Sequence, residues 1–564
     1  MAKIDFKPKA LSAIGHYDRK KFTSDLMAGV IVGIVALPLA IAFGIASGVT
    51  PEKGIITSVV AGFIVALMGG SKVQISGPTG AFVIIVYGII QQYGFQGLTV
   101  ATLMAGVFLV LFGIMHLGSV IKYIPYPIVV GFTSGIALSI FTTQLKDLLG
   151  FSIAGEVPTD FFERWACYFR NIGAIDPWNA AVGIASVAVI AAAPKVSRKV
   201  PGSLVAIVAI TVAALLLKRF AGVDTIETIG DRFSIDAHLP GAEVPDMSWE
   251  TVKALVGPAI TIAVLGAIES LLSATVADGV TGDHHNSNTE LIAQGVANIA
   301  SPLLGGIPAT GAVARTMTNI NNGGSTPVAG IIHAVVLLLI FLFLMPLAKY
   351  IPMACLAGVL VMVSYGMSGW RSFIGIMSNP KSDVIVLWTT FILTVVFDLT
   401  IAIEVGMVAA CLLFIKRMAG STGVKAFTGE IDPGEEDSDM RLGNLEHLSI
   451  PKGVEVYEIN GPYFFGAGNK FEETMASLPG RPKVRIIRMR KVPFIDSTGI
   501  HNLSNLCSMS RREGIRVILS GVRTEVRDAL EHAGVCSELG RENICNHIDS
   551  ALARAREITR QGKE

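Results

Sequence analysis

Long apolar runs separated by short polar loops dominate the first three quarters of the chain. A helix needs roughly 20 mostly apolar residues to cross the hydrocarbon core of a bilayer. Twelve runs fit or approach this length and are predicted to be membrane spans. In chain order they are 25–48, 54–69, 97–115, 126–145, 178–193, 201–217, 252–276, 291–304, 327–348, 355–369, 383–397 and 400–416.

Two further apolar stretches, 80–90 and 311–320, are too short to cross alone, and each follows an irregular segment rich in Pro, Gly and Thr. The sequence Pro78-Thr79-Gly80-Ala81 before the first stretch is nearly repeated as Ala309-Thr310-Gly311-Ala312 before the second. We interpret both as half-helices, at positions three and ten of about 14 segments. Interrupted segments at matching positions of two halves indicate an inverted repeat with a midplane binding site. The alternative is that Thr-Gly-Ala recurs by chance in a chain rich in Gly and Ala.

Composition supports a membrane protein and separates the chain into two parts. The hydrophobic fraction is 51% and the mean hydropathy is +0.59. Of the 45 basic and 44 acidic residues, 41 lie in the 146 residues from Ala419 onward. The net charge of +1 offers no basic surface, so nucleic acid binding is disfavoured. The six cysteines form no CxxC pair, which predicts neither a disulfide framework nor a metal site.

The predicted domains are a cytoplasmic segment 1–21, a transmembrane domain 22–418, a linker 419–451 and a soluble domain 452–564. The linker is rich in Gly, Ser, Asp and Glu. In the soluble domain, strands at 454–459, 484–489 and 515–519 alternate with helices at 469–478, 499–512 and 524–533, which indicates a compact α/β fold. Basic loop residues such as Lys72, Lys195 and Arg371 place both termini in the cytoplasm by the positive-inside rule. We therefore expect a multi-pass protein of the cytoplasmic (inner) membrane.

The two half-helices predict an anion site that needs no lysine. The first N–H groups of a helix lack carbonyl partners, and its N-terminus carries roughly half a positive charge. Gly80, Ala81, Gly311 and Ala312 would let an anion approach the backbone, and Thr79 and Thr310 could add hydroxyl groups.

Arg315 and Glu269 are charged residues at membrane depth and are therefore candidates for function. Glu269 and Ser273 share one helix face at a spacing of four, so they could bind a coupling proton or Na⁺. The alternative is a fixed salt bridge between Glu269 and Arg315. We found no Walker loop, HExxH motif or GxSxG elbow, so a primary pump or an enzyme has no support in the sequence.

Several motifs together resemble the sulfate permease (SulP) family of anion transporters, and Phe494-Ile-Asp-Ser-Thr-Gly499 resembles the signature of a STAS domain. The permease motifs are Asp25-Leu-Met-Ala-Gly29, Ala36-Leu-Pro-Leu-Ala-Ile-Ala-Phe43, Ser76-Gly-Pro-Thr-Gly80, Gly131-Phe-Thr-Ser-Gly135, Gly266-Ala-Ile-Glu-Ser270, Ala277-Asp-Gly-Val-Thr-Gly282, and Gly305-Gly-Ile-Pro-Ala-Thr-Gly311 through Ala314-Arg-Thr316. The resemblance implies a 7+7 inverted repeat divided into a mobile core and a gate domain. It also implies a homodimer that works by an elevator-like movement.

By motif match, the resemblance also implies roles for single residues. The family's anion site maps onto Phe43, Thr79, Gly80, Ala81, Gly311, Ala312 and Arg315. Glu269, with Ser273, matches a position that relatives use for cation coupling or for balancing the site charge. Some relatives have Asp and Thr at this pair, which leaves H⁺ and Na⁺ both open, with H⁺ preferred. Leu39 stands where several relatives have Gln, so the pocket is less polar here.

The resemblance of the tail implies a possible regulatory residue. In stand-alone STAS proteins the serine that matches Ser497 is phosphorylated at a helix N-terminus. The same sequence is good N-capping chemistry, and we prefer a capping role for Ser497 over modification. The tail is also a candidate surface for a cytoplasmic protein partner.

We therefore predict a secondary active transporter of a small anion, with sulfate, bicarbonate and C4-dicarboxylates as candidates and H⁺, or alternatively Na⁺, as the coupling ion. No cofactor or metal is expected. Two alternatives remain open at this stage: a membrane-anchored anion sensor with the tail as its output, and an anion channel or exchanger of the same fold.

Overall fold

A computed structural model of the chain contains two compact units, Met1–Val408 and Ala409–Glu564. The structure describes residues 6–14, 17–121, 125–153, 157–158, 160, 161–196, 201–234, 245, 248–397, 399–427, 430–431, 448–465 and 482–561.

Most of the described residues up to residue 421 are helical. Its helices are α1 (Lys9–Ile14), α2 (Arg19–Ala46), α3 (Pro51–Met68), α4 (Gly80–Ile114), α5 (Gly118–Ile121), α6 (Tyr126–Leu149), α7 (Phe161–Arg170), α8 (Pro177–Val196), α9 (Gly202–Ala221), α10 (Ile229–Arg232), α11 (Trp249–Thr281), α12 (Ser287–Leu303), α13 (Val313–Asn321), α14 (Pro327–Ala348), α15 (Met353–Met367), α16 (Trp370–Met377), α17 (Lys381–Val396) and α18 (Leu399–Ser421).

Each of the 14 predicted segments overlaps one of these helices, but the half-helix predicted at 311–320 begins two residues later, at Val313. The half-helix 80–90 and the span 97–115 are the two arms of α4, which breaks at Gly94 with φ 69° and ψ −177°. A side chain rarely adopts that conformation, so glycine allows the break. Eight helical stretches among the described residues are long and apolar enough to cross a membrane. The count of 14 crossings therefore stays a prediction.

The long helices pack in two bundles. In one, which we call the core bundle, α14 lies against α2 and α3, and α12 lies against α3 and α4. In the other, the gate bundle, α6 packs against α15 and α17, and α15 also packs against α8. The core bundle thus brings helices from both halves of the sequence into contact.

Glycines allow helices of the core bundle to approach closely. A Cβ atom at Gly106 of α4 would lie 2.7 Å from the carbonyl oxygen of Gly295 of α12, and a Cβ at Gly295 would lie 2.6 Å from that of Gly106. Contacts this short with a rigid backbone exclude any side chain, so α4 and α12 meet at their main chains. The close crossing fixes α12 directly beside the first half of the repeat.

The second unit contains a five-stranded sheet with the order β3 (Gly423–Phe427), β6 (Val454–Asn460), β7 (Val484–Lys491), β8 (Arg516–Ser520) and β9 (Ile544–Cys545). Strand β3 is antiparallel to β6, and the other neighbours are parallel. Two short strands, β4 (Glu430–Ile431) and β5 (Leu448–Ser449), pair separately.

Helices cover both faces of this sheet. They are α19 (Ser497–Arg512), α20 (Thr524–His532), α21 (Val535–Leu539) and α22 (Ile548–Gln561). Leu503 of α19 and Leu530 of α20 pack with Ile487 on one face. Ile548 of α22 packs with Ile486 on the other. Because successive residues of a strand point to opposite faces, β7 is buried over most of its length.

The predicted α/β order of the tail is confirmed, but its start differs from the prediction. The segment 419–451 was predicted to be a linker, whereas β3 lies inside it and forms the edge strand beside β6. Composition did not reveal this strand, because its stability comes from pairing with residues about 30 to 37 positions away. The acidic run at 435–437 and the predicted helix at 469–478 lie outside the described residues.

Candidate functional site

The two irregular segments before the half-helices cross each other in the core bundle. Strand β1 (Ser76–Gly77) pairs antiparallel with β2 (Thr310–Gly311), with Ser76 opposite Gly311 and Gly77 opposite Thr310. Helix α4 begins three residues after β1, and α13 begins two residues after β2. The pairing therefore brings the positive ends of two helices from opposite halves of the chain to one place.

The α4 end of the crossing is buried and carries an unused hydroxyl group. Thr79 is the N-cap residue, yet its side chain caps no backbone N–H. Its Oγ1 is buried and has no hydrogen-bond partner within the described part of the chain. A Cβ at Gly80 would lie 2.7 Å from Sδ of Met367 on α15 and 3.2 Å from Cδ1 of Ile140 on α6. This helix end thus faces the gate bundle.

The α13 end is built differently from the α4 end. The backbone N–H of Gly311 donates to Oγ of Ser270 at 3.1 Å, and the N–H of Ala312 donates to the carbonyl of Ile75 at 2.9 Å. Both groups were expected to face an anion, but they bind within the protein. Residues 313–315, in the first turn of α13, then supply the N–H groups that lack partners inside the helix.

The hydroxyl group of Thr310 also differs from that of Thr79. It donates to the carbonyl of Gly266 at 3.0 Å and lies 2.7 Å from Oγ of Ser270. Helix α11 therefore holds β2 in place through Gly266 and Ser270. The sequence repeat Thr-Gly-Ala hides this asymmetry, because the partners come from α11 and not from the repeat itself.

Arg315 joins the two halves of the crossing. Its side chain is 2% exposed. Nη2 donates to the carbonyl of Pro78 at 2.6 Å and Nη1 donates to Oγ of Ser58 at 3.3 Å. The fixed salt bridge with Glu269 that we considered is not formed in the described residues, where Arg315 instead supports the entry into α4. A guanidinium group has five N–H donors, so contact with an anion remains open to it.

Glu269 is a buried carboxylate, 9% exposed, that accepts no hydrogen bond and forms no ion pair among the residues the structure describes. Ser273, four residues later, is 1% exposed and donates to Oγ1 of Thr316 on α13 at 3.3 Å. Helix α11 also contacts α13 and β2. The pair therefore lies on the face of α11 that packs against the crossing, and Glu269 remains available for a proton or cation.

The remaining predicted site residues lie close to these elements. Phe43 is buried on α2, and α2 contacts both α4 and α13. Ala81 is fully buried, and Ala312 is 8% exposed. The helices that carry the predicted site residues thus pack against one another around the crossing, while the predicted roles in ligand binding stay predictions.

Sequence reasoning missed buried polar residues of the core bundle. Glu290, Gln294 and Asn298 lie at spacings of four on α12 and are all buried. His333 of α14 is fully buried, and neither ring nitrogen has a hydrogen-bond partner in the described residues. A polar residue at every fourth position, from the residue just before the predicted span 291–304 into the span, was the signal for the first three. An ionisable residue inside a span was the signal for His333.

In the tail, the predicted capping role belongs to a neighbour of Ser497. Asp496 is the N-cap residue of α19, and its Oδ1 accepts from the N–H of Gly499 at 2.7 Å. Its Oδ2 accepts from the N–H of Phe465 at 3.1 Å. Ser497 is the first residue of the helix and is exposed. The capping prediction for Ser497 is wrong, because the Asp side chain one position earlier already reaches the free N–H.

We expect Asp496→Ala to lower the opening free energy of α19 by about 1 kcal/mol, since an N-cap side chain contributes that much. Ser497→Ala should stay within about 0.5 kcal/mol, as expected for an exposed side chain without a structural role. Hydrogen exchange of the α19 amides in the full-length protein measures both values. Equal loss of protection in the two variants would contradict the assignment of the cap to Asp496.

Comparison with known proteins agrees with this architecture. The profile of the sulfate permease family matches residues 22–390, and that of the STAS domain matches residues 448–551. The solved structure of SLC26A9 has a TM-score of 0.84 over 98% of this chain and 93% of that chain. Its sequence identity is 18%, so this likeness shows the fold. The solved transmembrane domain of a cyanobacterial bicarbonate transporter, BicA, is 30% identical with a TM-score of 0.62, over 70% of this chain and 98% of that one.

Two curated relatives match over nearly their full lengths. A protein of Bacillus subtilis named "Putative sulfate transporter YvdB" is 39% identical over 94% of this chain and 98% of its own. The bicarbonate transporter BicA of Picosynechococcus sp. is 31% identical over 95% of each chain.

Fold, site and relatives together define a multi-pass helical membrane transporter for anions with a C-terminal α/β domain. The chain belongs to the sulfate permease family, and its soluble tail is a STAS domain.

Proposed function

We propose that this protein is a secondary active transporter that couples the uptake of a small anion to protons. The observation that carries the proposal is the crossing of β1 and β2, which brings two helix N-termini together and packs against α11, the helix that carries the carboxylate of Glu269. Helix ends attract an anion without a fixed positive ligand. A carboxylate next to them supplies a group that a proton can neutralise when the anion binds.

Sulfate and bicarbonate are the first substrates to test. The relatives are named for these two anions. Backbone N–H groups and helix dipoles accept both, and they also accept the carboxylates of a C4-dicarboxylate. The unpartnered hydroxyl group of Thr79 can donate to an oxygen atom of any of these anions.

The two bundles support an elevator-like movement of the core against the gate. The anion site belongs to the core bundle, and its α4 end contacts the gate through the side chains of Met367 and Ile140. Flexible side chains at this contact let the two bundles slide without breaking backbone hydrogen bonds. We place the protein in the cytoplasmic membrane as a homodimer with both termini in the cytoplasm, where the STAS domain is available to a protein partner.

Uptake of radiolabelled sulfate, bicarbonate and succinate into liposomes containing the purified protein tests the proposal. We expect accumulation of at least one anion above its external concentration when the outside is more acidic than the lumen. Without the pH gradient we expect no accumulation. Dissipating the gradient with a protonophore should release the accumulated anion.

The same experiment separates the proposal from its alternatives. A channel equilibrates the anion without accumulating it, and an exchanger requires a counter-anion inside the liposomes. A sensor binds anion with no flux at all. Accumulation that follows a Na⁺ gradient and ignores pH would assign the coupling to sodium.

A further inference from the structure

We propose that Glu290, Gln294 and Asn298 of α12 are positioning residues that set the geometry of the anion site. The inference rests on the proposed function, because it concerns how that site is held. The three side chains form one polar face of α12, which we call the α12 ladder. They touch both strands of the crossing, or the segments that lead into them, and none is among the predicted ligands.

Glu290 holds the segment that leads into β1. Its side chain is fully buried, and Oε2 accepts from the N–H groups of Gly70 at 2.9 Å and Ser71 at 3.2 Å. Oε1 accepts from Nε2 of Gln74 at 2.9 Å and from Nε2 of Gln294 at 3.0 Å. A buried carboxylate is stable only when donors surround it. Three of these four donors belong to residues 70–74, so they tie the segment after α3, in the first half of the chain, to α12 in the second.

Asn298 holds β2 in the way that a neighbouring strand would. Its Oδ1 accepts from the N–H of Ala309 at 2.9 Å, and its Nδ2 donates to the carbonyl of Ala309 at 2.8 Å. The amide side chain thus satisfies both polar groups of the residue just before β2. These groups would otherwise be buried without partners, because the irregular backbone lies inside the bundle.

Gln294 connects Glu290 to β1. Its Oε1 accepts from Oγ of Ser76 in β1 at 3.0 Å, while its Nε2 donates to Glu290. Gln74 then links the ladder to α11, because its Nε2 also donates to the carbonyl of Ser270 at 3.2 Å. The ladder therefore reaches the helix that carries Glu269 and Ser273.

This arrangement predicts that substitutions in the α12 ladder change the positions of the groups that bind the anion, and not only the stability of the protein. An anion at two helix ends is recognised by N–H groups whose directions depend on how β1 and β2 cross. Small displacements of positioned groups weaken binding strongly, because hydrogen bonds depend on distance and angle. Altering the ladder should consequently change which anions bind, and a purely structural residue would not do this.

The test compares Glu290→Gln with Asp25→Asn as a matched control. Asp25 is also a fully buried carboxylate, and its Oδ1 accepts from the N–H groups of Ser325 at 2.8 Å and Thr326 at 3.2 Å at the start of α14. Each change removes the negative charge of a buried carboxylate that joins distant parts of the chain. At Glu290 the new NH₂ group faces N–H donors on either side, whereas at Asp25 it can face the hydroxyl groups of Tyr17 and Thr326, which also accept. Both variants should lose thermal stability, but only Glu290→Gln should change the geometry of the anion site. A difference in anion binding between the two variants therefore reports on that geometry.

Equilibrium binding of radiolabelled sulfate and bicarbonate to the full-length purified protein gives the readout, normalised to folded dimer. We expect Glu290→Gln to weaken binding about tenfold and to change the ratio of sulfate to bicarbonate affinity. We expect Asp25→Asn to keep the affinities and the ratio of the native protein. Asn298→Asp, which sets a second oxygen atom against the carbonyl of Ala309, should act as Glu290→Gln does.

Unchanged affinities and an unchanged ratio in both ladder variants would overturn the inference. An equal loss of anion affinity in Asp25→Asn would overturn the inference too. The loss of affinity would then follow from lower protein stability and not from the geometry of the anion site. Should Glu290→Gln fail to fold, Asn298→Asp decides the question by the same criteria. A native protein that binds neither anion, nor succinate, would contradict the proposed function itself, which is a different result from native binding with unaltered ladder variants.

Discussion

Replacing Glu269 by glutamine is expected to abolish anion accumulation driven by a pH gradient while leaving anion binding and exchange in place. The side chain is buried beside the crossing and has no partner among the described residues. A proton on Glu269 removes the negative charge that would repel an anion at the helix ends, so each ligand favours the binding of the other. Glutamine mimics the protonated form permanently and cannot return a proton.

Uptake into proteoliposomes, measured with and without a pH gradient, checks this expectation, and counterflow at equal pH checks that exchange persists. Glu52→Gln is the matched control, because Glu52 is also 9% exposed but lies in the first turn of α3. Full proton-driven accumulation by Glu269→Gln would rule out its coupling role. A requirement for Na⁺ without a response to pH would instead transfer Glu269, with Ser273, to a sodium site.

Replacing Arg315 by glutamine is expected to weaken anion binding by more than tenfold and also to lower thermal stability. By motif match, Arg315 was assigned to the anion site. The structure shows that Arg315 also donates to the carbonyl of Pro78 and to Ser58. Removing these bonds leaves buried polar groups without partners, which costs about 1–3 kcal/mol for each group.

Thr79→Ala provides the comparison that separates binding from stability. Its hydroxyl group has no partner in the described residues, so its loss should weaken binding with little change in the melting temperature. Arg315→Lys should recover part of the affinity, because it keeps the charge but not the two-armed hydrogen bonding. If Arg315→Gln binds the anion with native affinity, Arg315 is not an anion ligand. The helix ends would then be the anion ligands.

The membrane-spanning helices could be predicted because each depends on the hydrophobicity of its own run of residues. A run of apolar residues partitions into a bilayer whatever surrounds it, and the predicted segment 327–348 coincides with α14 (Pro327–Ala348). The half-helices were also visible, because Pro, Gly and Thr interrupt the apolar pattern before residues 80 and 311. The repeated Thr-Gly-Ala entry located the candidate site before any contact was known.

The asymmetry between the two helix ends could not be predicted, because identical short motifs receive different partners. Thr79 has a hydroxyl group without a partner in the described residues, whereas Thr310 is held by Gly266 and Ser270 of α11. The partners of Arg315 are likewise on α3 and before α4, more than 200 positions away in sequence. No local pattern encodes such distances.

Sequence by itself therefore determined the kind of elements, the place of the interruptions and the chemical candidates, since hydrophobicity, helix breaking and charge are properties of neighbouring residues. Tertiary structure decided which of these candidates meet. It joined β1 to β2, left Glu269 without a partner among the described residues and gave the crossing its support on Glu290 and Asn298. These outcomes depend on packing between the two halves of the chain, where buried polar groups must find partners that are distant in sequence.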